Sequence, residues 1–96
     1  MNPVTGSEIV RRRVVVHGHV QGVFFRDSIR EFAHGEGVSG WVANRDDGTV
    51  EAALEGSPAA VDAVLRFCRE GPPRAEVRDL EVSDETPEGL NGFAVR

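Results

Sequence analysis

The segment RRRVVVHGHVQGVFFRDSIREFAHGEG, Arg11 to Gly37, holds a strand, a loop and a helix in one run. The β-branched stretch RRRVVVH, Arg11 to His17, ends at a glycine and reads as a strand. Beyond the loop, Phe25, Ile29, Phe32 and Ala33 recur at helical spacing, with polar or charged residues mostly between them. This pattern predicts a helix that starts near Val23 and is ended by Gly35 and Gly37, glycine being the residue of left-handed caps. The joint between strand and helix is GHVQGVFFR, Gly18 to Arg26, with two glycines bracketing a turn and one arginine just inside the helix.

Downstream, VSGWVANRDDGTVEAALEG carries two runs of alternating character. Val38, Gly40 and Val42 share one strand face, and Val50, Ala52 and Leu54 share another. Asp47-Gly48 between them is a hairpin signal, because glycine tolerates positive φ. Ser57-Pro58 supplies an N-cap and a first-turn proline. The helix that follows places Val61, Val64, Leu65 and Cys68 on one face and stops at Gly71-Pro72-Pro73. A last extended region carries Val77, Leu80 and Val82, with a change of phase that predicts a bulge or bend. The tail GFAVR reads as a short additional edge strand.

The order is thus strand, helix, strand, strand, helix, strand. Two helices covering one face of an antiparallel sheet give an α+β, ferredoxin-like βαββαβ sandwich. Right-handed crossovers place the first strand centrally, beside the third. The loop GHVQG then emerges at the end of a central strand. Residues 1 to 9 read as a flexible lead-in and residues 10 to 96 as a single domain.

Composition narrows the function classes. A chain of 96 residues with 40% apolar content suits one modest core. No apolar run reaches the length of a membrane span, and MNPVTGSEIV lacks the character of a signal peptide, so a cytoplasmic protein without membrane partners is expected. A single cysteine, Cys68, excludes an internal disulfide framework and a multi-cysteine zinc site. The net charge of −5 argues against nucleic acid as a partner. All 11 basic residues are arginine, which we attribute to genomic base composition. His17, His19 and His34 show no recognisable metal-ligand spacing with carboxylates or cysteine, so no metal site is expected.

The chemistry concentrates in the loop. Gly18 and Gly22 permit a tight turn that leaves amide N–H groups accessible, and successive amides in such a turn form an anion-binding concavity. The helix that follows adds its unpaired first-turn amides. Arg26 supplies a planar fork matched to two phosphate oxygens. Asn44, in GWVANRDDG, carries an amide that can accept from and donate to water. It is a poor base, so a role for it is orientation. Taken singly, Arg26 also reads as a solvated helix arginine and Asn44 as a turn residue. His19 and Gln21 read as loop residues with exposed side chains, whose backbone amides matter more. Asp46-Asp47 reads as turn chemistry, and Trp41 as lining either the open side of the sheet or a partner surface.

GHVQGVFFR and GWVANRDDGTVE together resemble the two signature stretches of the acylphosphatase family. Leu54-Glu55-Gly56 and the closing FAVR are also similar, so the resemblance runs from about Arg12 to Arg96. It implies an enzyme of ferredoxin-like fold that hydrolyses small-molecule acyl phosphates to carboxylate and inorganic phosphate without metal or organic cofactor. It further implies that Arg26 is the phosphate-binding catalytic arginine and that Asn44 orients the attacking water. The backbone of His19, Val20, Gln21, Gly22 and Val23 would form the phosphate cradle. RNA-recognition domains share the element order but need exposed aromatics and positive charge, which RRRVVVH and the acidic chain do not offer. Metal carriers of this shape use a cysteine pair in the first loop, and GHVQG has none. Similar sequences also begin larger hydrogenase-maturation carbamoyltransferases. The start at Met1 and the closure of the fold at Arg96 lead us to expect a free-standing enzyme, and nothing in the sequence demands more than a monomer.

Overall fold

The computed structural model describes residues 8–96. Of the expected lead-in, residues 1–7 lie outside the described residues, and Glu8 and Ile9 precede the first strand without regular structure. The elements are β1 (Val10–His19), α1 (Phe25–Glu36), β2 (Ser39–Asn44), β3 (Val50–Gly56), α2 (Pro58–Glu70), β4 (Glu76–Glu85) and β5 (Phe93–Val95). They form a five-stranded sheet in the order β4-β1-β3-β2-β5. β1 is central beside β3, as the crossover rule requires.

Alternation sorts each strand onto two faces. Val14 and Val16 of β1, Val42 of β2, and Val50, Ala52 and Leu54 of β3 join one buried core with Phe25, Ile29 and Ala33 of α1. Val61, Val64, Leu65 and Cys68 of α2 complete it. Both helices lie on this side of the sheet and pack against each other, with Phe32 and Phe67 stacked at 4.9 Å between centroids. Ser57 caps α2 by accepting from the Ala60 N–H through its hydroxyl. Burial pushes the Cys68 thiol up to about 12, so it behaves as a small apolar residue.

Four features differ from the sequence reading. β1 does not stop at Gly18 but continues to His19. Gly18 therefore is not part of a tight turn. It sits in the strand at φ 134°, where an added Cβ would collide with the Glu76 carbonyl oxygen of β4. Its register shift against β4, where His17 pairs with Asp79 and Gly18 with Val77, is the bulge that the phase change in β4 foreshadowed.

Second, α1 begins at Phe25 rather than near Val23, because Phe24 takes a left-handed conformation (φ 65°, ψ 26°) and cannot join the helix. Third, α1 runs through Gly35 to Glu36, and Gly37 alone forms the left-handed cap (φ 74°). Fourth, the sheet is not wholly antiparallel, since β5 pairs in parallel with β2. β4 lies at one edge and β5 at the other. A chain that crosses between edges along one end of the sheet must return antiparallel to the strand it left, and this orientation is parallel to β2.

The open face carries charge. Arg11, 3% exposed, meets Glu55, also 3% exposed, through Nη1 at 2.8 Å and Glu85 through Nε at 2.8 Å. The Glu55 carboxylate also accepts the backbone N–H groups of Glu88, Gly89 and Leu90 at 2.8–3.1 Å. These bonds fasten the crossing segment between β4 and β5 to the end of β3.

Candidate active site

At the opposite end of the sheet, the end of β1, the start of α1 and the end of β2 enclose a cavity of about 280 Å³. It is lined by Val20, Gly22, Phe24, Phe25, Arg26, Asp27 and Asn44. Arg26 and Asn44 thus share one cavity, although 17 residues lie between them in the chain.

The loop is held from both sides. Val20 and Val23 are buried in the core and anchor it, and of His19 to Val23 the cavity is lined by Val20 and Gly22. Gly22, at φ 75°, lines the cavity, and an added Cβ would meet no protein atom within 4 Å. Its need for glycine is therefore conformational, and a side chain there would occupy ligand space instead of striking the fold. Gln21 is not merely an exposed loop residue. Its Nε2 donates to the carbonyls of Arg45 at 2.8 Å and Thr49 at 2.9 Å, joining the loop to the β2–β3 hairpin. His19 is exposed at the end of β1 and does not line the cavity.

The hairpin beside Asn44 is rigidly closed. The Arg45 N–H donates to the Thr49 carbonyl at 2.9 Å, and the Gly48 N–H to the Arg45 carbonyl at 3.1 Å. Asp47 Oδ1 accepts from the Thr49 hydroxyl at 2.6 Å and from the Thr49 N–H at 3.0 Å, which holds the Asp47 carboxyl below its ordinary range. This is the turn role that Asp46-Asp47-Gly48 suggested. Asn44 is exposed at the end of β2, one residue before the closure.

Arg26 lies in the first turn of α1, half-buried, and its Nη1 donates to the Arg96 carbonyl oxygen at 3.0 Å. Arg96 is itself placed by β5 and by Trp41. The Arg96 N–H donates to the Val42 carbonyl, and its guanidinium lies 4.4 Å from the Trp41 ring centroid. Trp41 takes Arg13 as well, at 5.1 Å, so it lines the open side of the sheet. Among the described residues, no Asp or Glu carboxylate lies within 4 Å of the Arg26 guanidinium, whose one partner is the main-chain oxygen of Arg96, the last residue of the chain. Asp27 reaches the cavity, but its carboxylate is 63% exposed and lies 4.0 Å from Arg30. Among the described residues, no group of three or more His, Cys, Asp or Glu side chains is gathered to hold a metal. His17 pairs with Glu81 at 2.6 Å on the open face.

Chemically, the cavity offers one guanidinium with most of its donors uncommitted, a glycine loop at the N-terminal end of a helix, and a carboxamide. This is a set of donors suited to a tetrahedral oxyanion. Phe24, Asp27, Arg96 and the Gln21 bridge escaped sequence reasoning. Only Phe24 left a signal, as a second large apolar residue in a loop whose helical face was already served by Phe25.

Comparison with known proteins agrees. The acylphosphatase family model matches residues 12–95. An acylphosphatase of Haloarcula marismortui is 55% identical over 86 residues, covering 90% of this chain and 94% of that protein. One of Rubrobacter xylanophilus is 58% identical over 87 residues, covering 90% of this chain and 79% of that protein. The crystal structure of the Bacillus subtilis acylphosphatase superposes with a TM-score of 0.88 at 35% identity, covering 91% of this chain and 98% of that one. The chain belongs to the acylphosphatase family.

Proposed function

We propose that the protein hydrolyses the carboxyl–phosphate bond of small acyl phosphates, releasing carboxylate and inorganic phosphate. The observation that carries this reading is the convergence of Arg26, the Gly22 loop and Asn44 on one cavity in a chain of this family. The phosphoryl oxygens sit on the amides of the loop around Gly22 and on the fork of Arg26. The Arg96 carbonyl takes one guanidinium N–H and fixes the plane in which the other donors face the ligand. Asn44 accepts one hydrogen bond from water, or donates one to it, and so aims the water at phosphorus.

The carboxylate is a good leaving group, so the protein's task is to bind charge and position the nucleophile. Water oxygen forms the new bond to phosphorus, the bond from phosphorus to the acyl oxygen breaks, and its electron pair leaves with the carboxylate. Asp27, the one Asp or Glu side chain lining the cavity among the described residues, is solvated and lies beside Arg30, so a phosphoryl oxygen takes the water proton. The enzyme acts as a monomer in the cytoplasm. No helix among the described residues is long and apolar enough to cross a membrane.

Acetyl phosphate hydrolysis, followed with a chelator present, tests the reading. Turnover should survive chelation, and inorganic phosphate should inhibit competitively. Absence of turnover, or activity that needs one specific added metal, would overturn it.

A further inference from the structure

Phe24 stands out in two independent ways. Its side chain is 69% exposed, and among the described residues it is the only non-glycine residue at positive φ. A bulky side chain in the left-handed region is a genuine outlier, and strain of this kind collects at ligand sites. A glycine would meet the same backbone requirement without strain and without exposing apolar surface. Neither the fold nor the cradle explains why a phenyl ring stands there.

Its position supplies the explanation. Phe24 lines the cavity with Arg26 and Asn44. The other large apolar side chains of the lining, Val20 and Phe25, are 1% and 2% exposed and present almost no surface to a ligand. In an in-line displacement the acyl oxygen departs opposite the incoming water. The acyl half of the substrate then lies across the cavity from the water that Asn44 aims.

We propose that Phe24 is the specificity-determining residue for that half, its ring forming a platform on which planar apolar acyl groups pack. The preferred substrates are therefore aryl acyl phosphates, with benzoyl phosphate as the probe and acetyl phosphate as the small comparator. The inference rests on the phosphohydrolase reading above. It adds the acyl half of the substrate, which the phosphate cradle leaves undetermined.

The test compares kcat/KM for benzoyl and acetyl phosphate in the wild type and in Phe24→Ala, Phe24→Gly and Phe24→Trp. Each variant's ratio is divided by the wild-type ratio, which cancels the different intrinsic reactivities of the two compounds. Phe24→Ala removes the ring while keeping a Cβ at positive φ, and Phe24→Gly removes the ring and the strain together. Both should lower the benzoyl-to-acetyl ratio by about three- to tenfold, chiefly through KM for benzoyl phosphate. Phe24→Trp should keep the ratio near that of the wild type. An unchanged ratio in both ring-less variants would overturn the proposal. So would a fall in Phe24→Ala that Phe24→Gly restores, since the backbone would then be responsible. A wild type that hydrolyses neither compound would remove the phosphohydrolase reading and this inference with it, whereas turnover of both with an unmoved ratio removes this inference alone.

Discussion

Arg11 and Arg26 lie toward opposite ends of the same fold, and their surroundings show two uses of one side chain. Every nitrogen of the Arg11 guanidinium faces a carboxylate: Nη1 meets Glu55 at 2.8 Å, Nε meets Glu85 at 2.8 Å, and Nη2 is 3.7 Å from Glu88. Arg26 has one hydrogen bond among the described residues, to the main-chain oxygen of Arg96, the last residue of the chain. Arg11 is sealed from water and its donors are committed, so it can organise neighbours but cannot take a ligand. Arg26 keeps donors in reserve beside a cavity. A charge left under-partnered is the more informative one for function, and a saturated charge is informative about structure.

The comparison breaks most sharply at Arg26. Arg26→Ala should reduce kcat/KM for acetyl phosphate by at least about 10³-fold, in line with guanidinium groups that neutralise a phosphoryl transition state. Its phosphate inhibition should weaken as well. Arg26→Lys should recover little, because an ammonium cannot reproduce the two-pronged fork. The denaturant midpoint of both variants should stay near that of the wild type. Asn44→Ala should lower kcat by on the order of 10² to 10³ while phosphate affinity stays nearly constant, because the proposed role of Asn44 is toward the water and not the phosphate. Equal loss of phosphate affinity in the Arg26→Ala and Asn44→Ala variants, with kcat spared in the latter, would refute the division of roles.

Glu55→Ala should invert that pattern. Arg11 keeps Glu85 and Glu88, so removing Glu55 leaves only its buried Nη1 donor without a partner, a loss of about 1–3 kcal/mol. Here it also strands the N–H groups of Glu88, Gly89 and Leu90. The melting temperature should fall by more than about 10 °C, given the few degrees per kcal/mol expected of a domain this size. The folded fraction should still hydrolyse acetyl phosphate, because no atom of Glu55 reaches the cavity. A variant with unchanged stability would show that the crossing segment is held by something other than Glu55.

The two arginines were unequally legible before folding. Arg26 stood beside its own glycine loop, so local spacing was enough to single it out. Arg11 looked like one of three arginines opening a strand, because its partners lie 44 and 74 residues away in sequence. Only the sheet order brings Glu55 and Glu85 to it. Gln21 was misread for the same reason, its acceptors being carbonyls 24 and 28 residues downstream. The two helix faces, the hairpin at Asp47-Gly48 and the Ser57 cap were readable because periodicity and turn chemistry are local. The left-handed Phe24 was not, since propensity assigns that conformation to glycine and the chain departs from propensity there.

The smallest expected effect is a pH dependence centred on the Arg11 cluster. Burial alone would raise the Glu55 carboxyl, but the backbone N–H of Glu88, the Arg11 guanidinium and the N–H groups of Leu90 and Gly89 outweigh it and hold it below its ordinary range. Glu85 is lowered too, first by its hydrogen bond from Arg11. A carboxyl lowered in the folded state binds its proton more readily in the unfolded chain. Its contribution is therefore complete above the ordinary carboxylate range, near about pH 4.3, and is lost as pH falls through the folded-state value. The denaturant midpoint should thus decline below about pH 4.3. Glu55→Gln cannot titrate, so its decline should be shallower. Some slope should persist, because Glu85 and Asp47 are lowered as well. Arg26→Ala leaves those carboxylates untouched and should retain the full wild-type slope. Parallel curves for the wild type and Glu55→Gln would mean that the acid response does not arise at the Arg11 cluster.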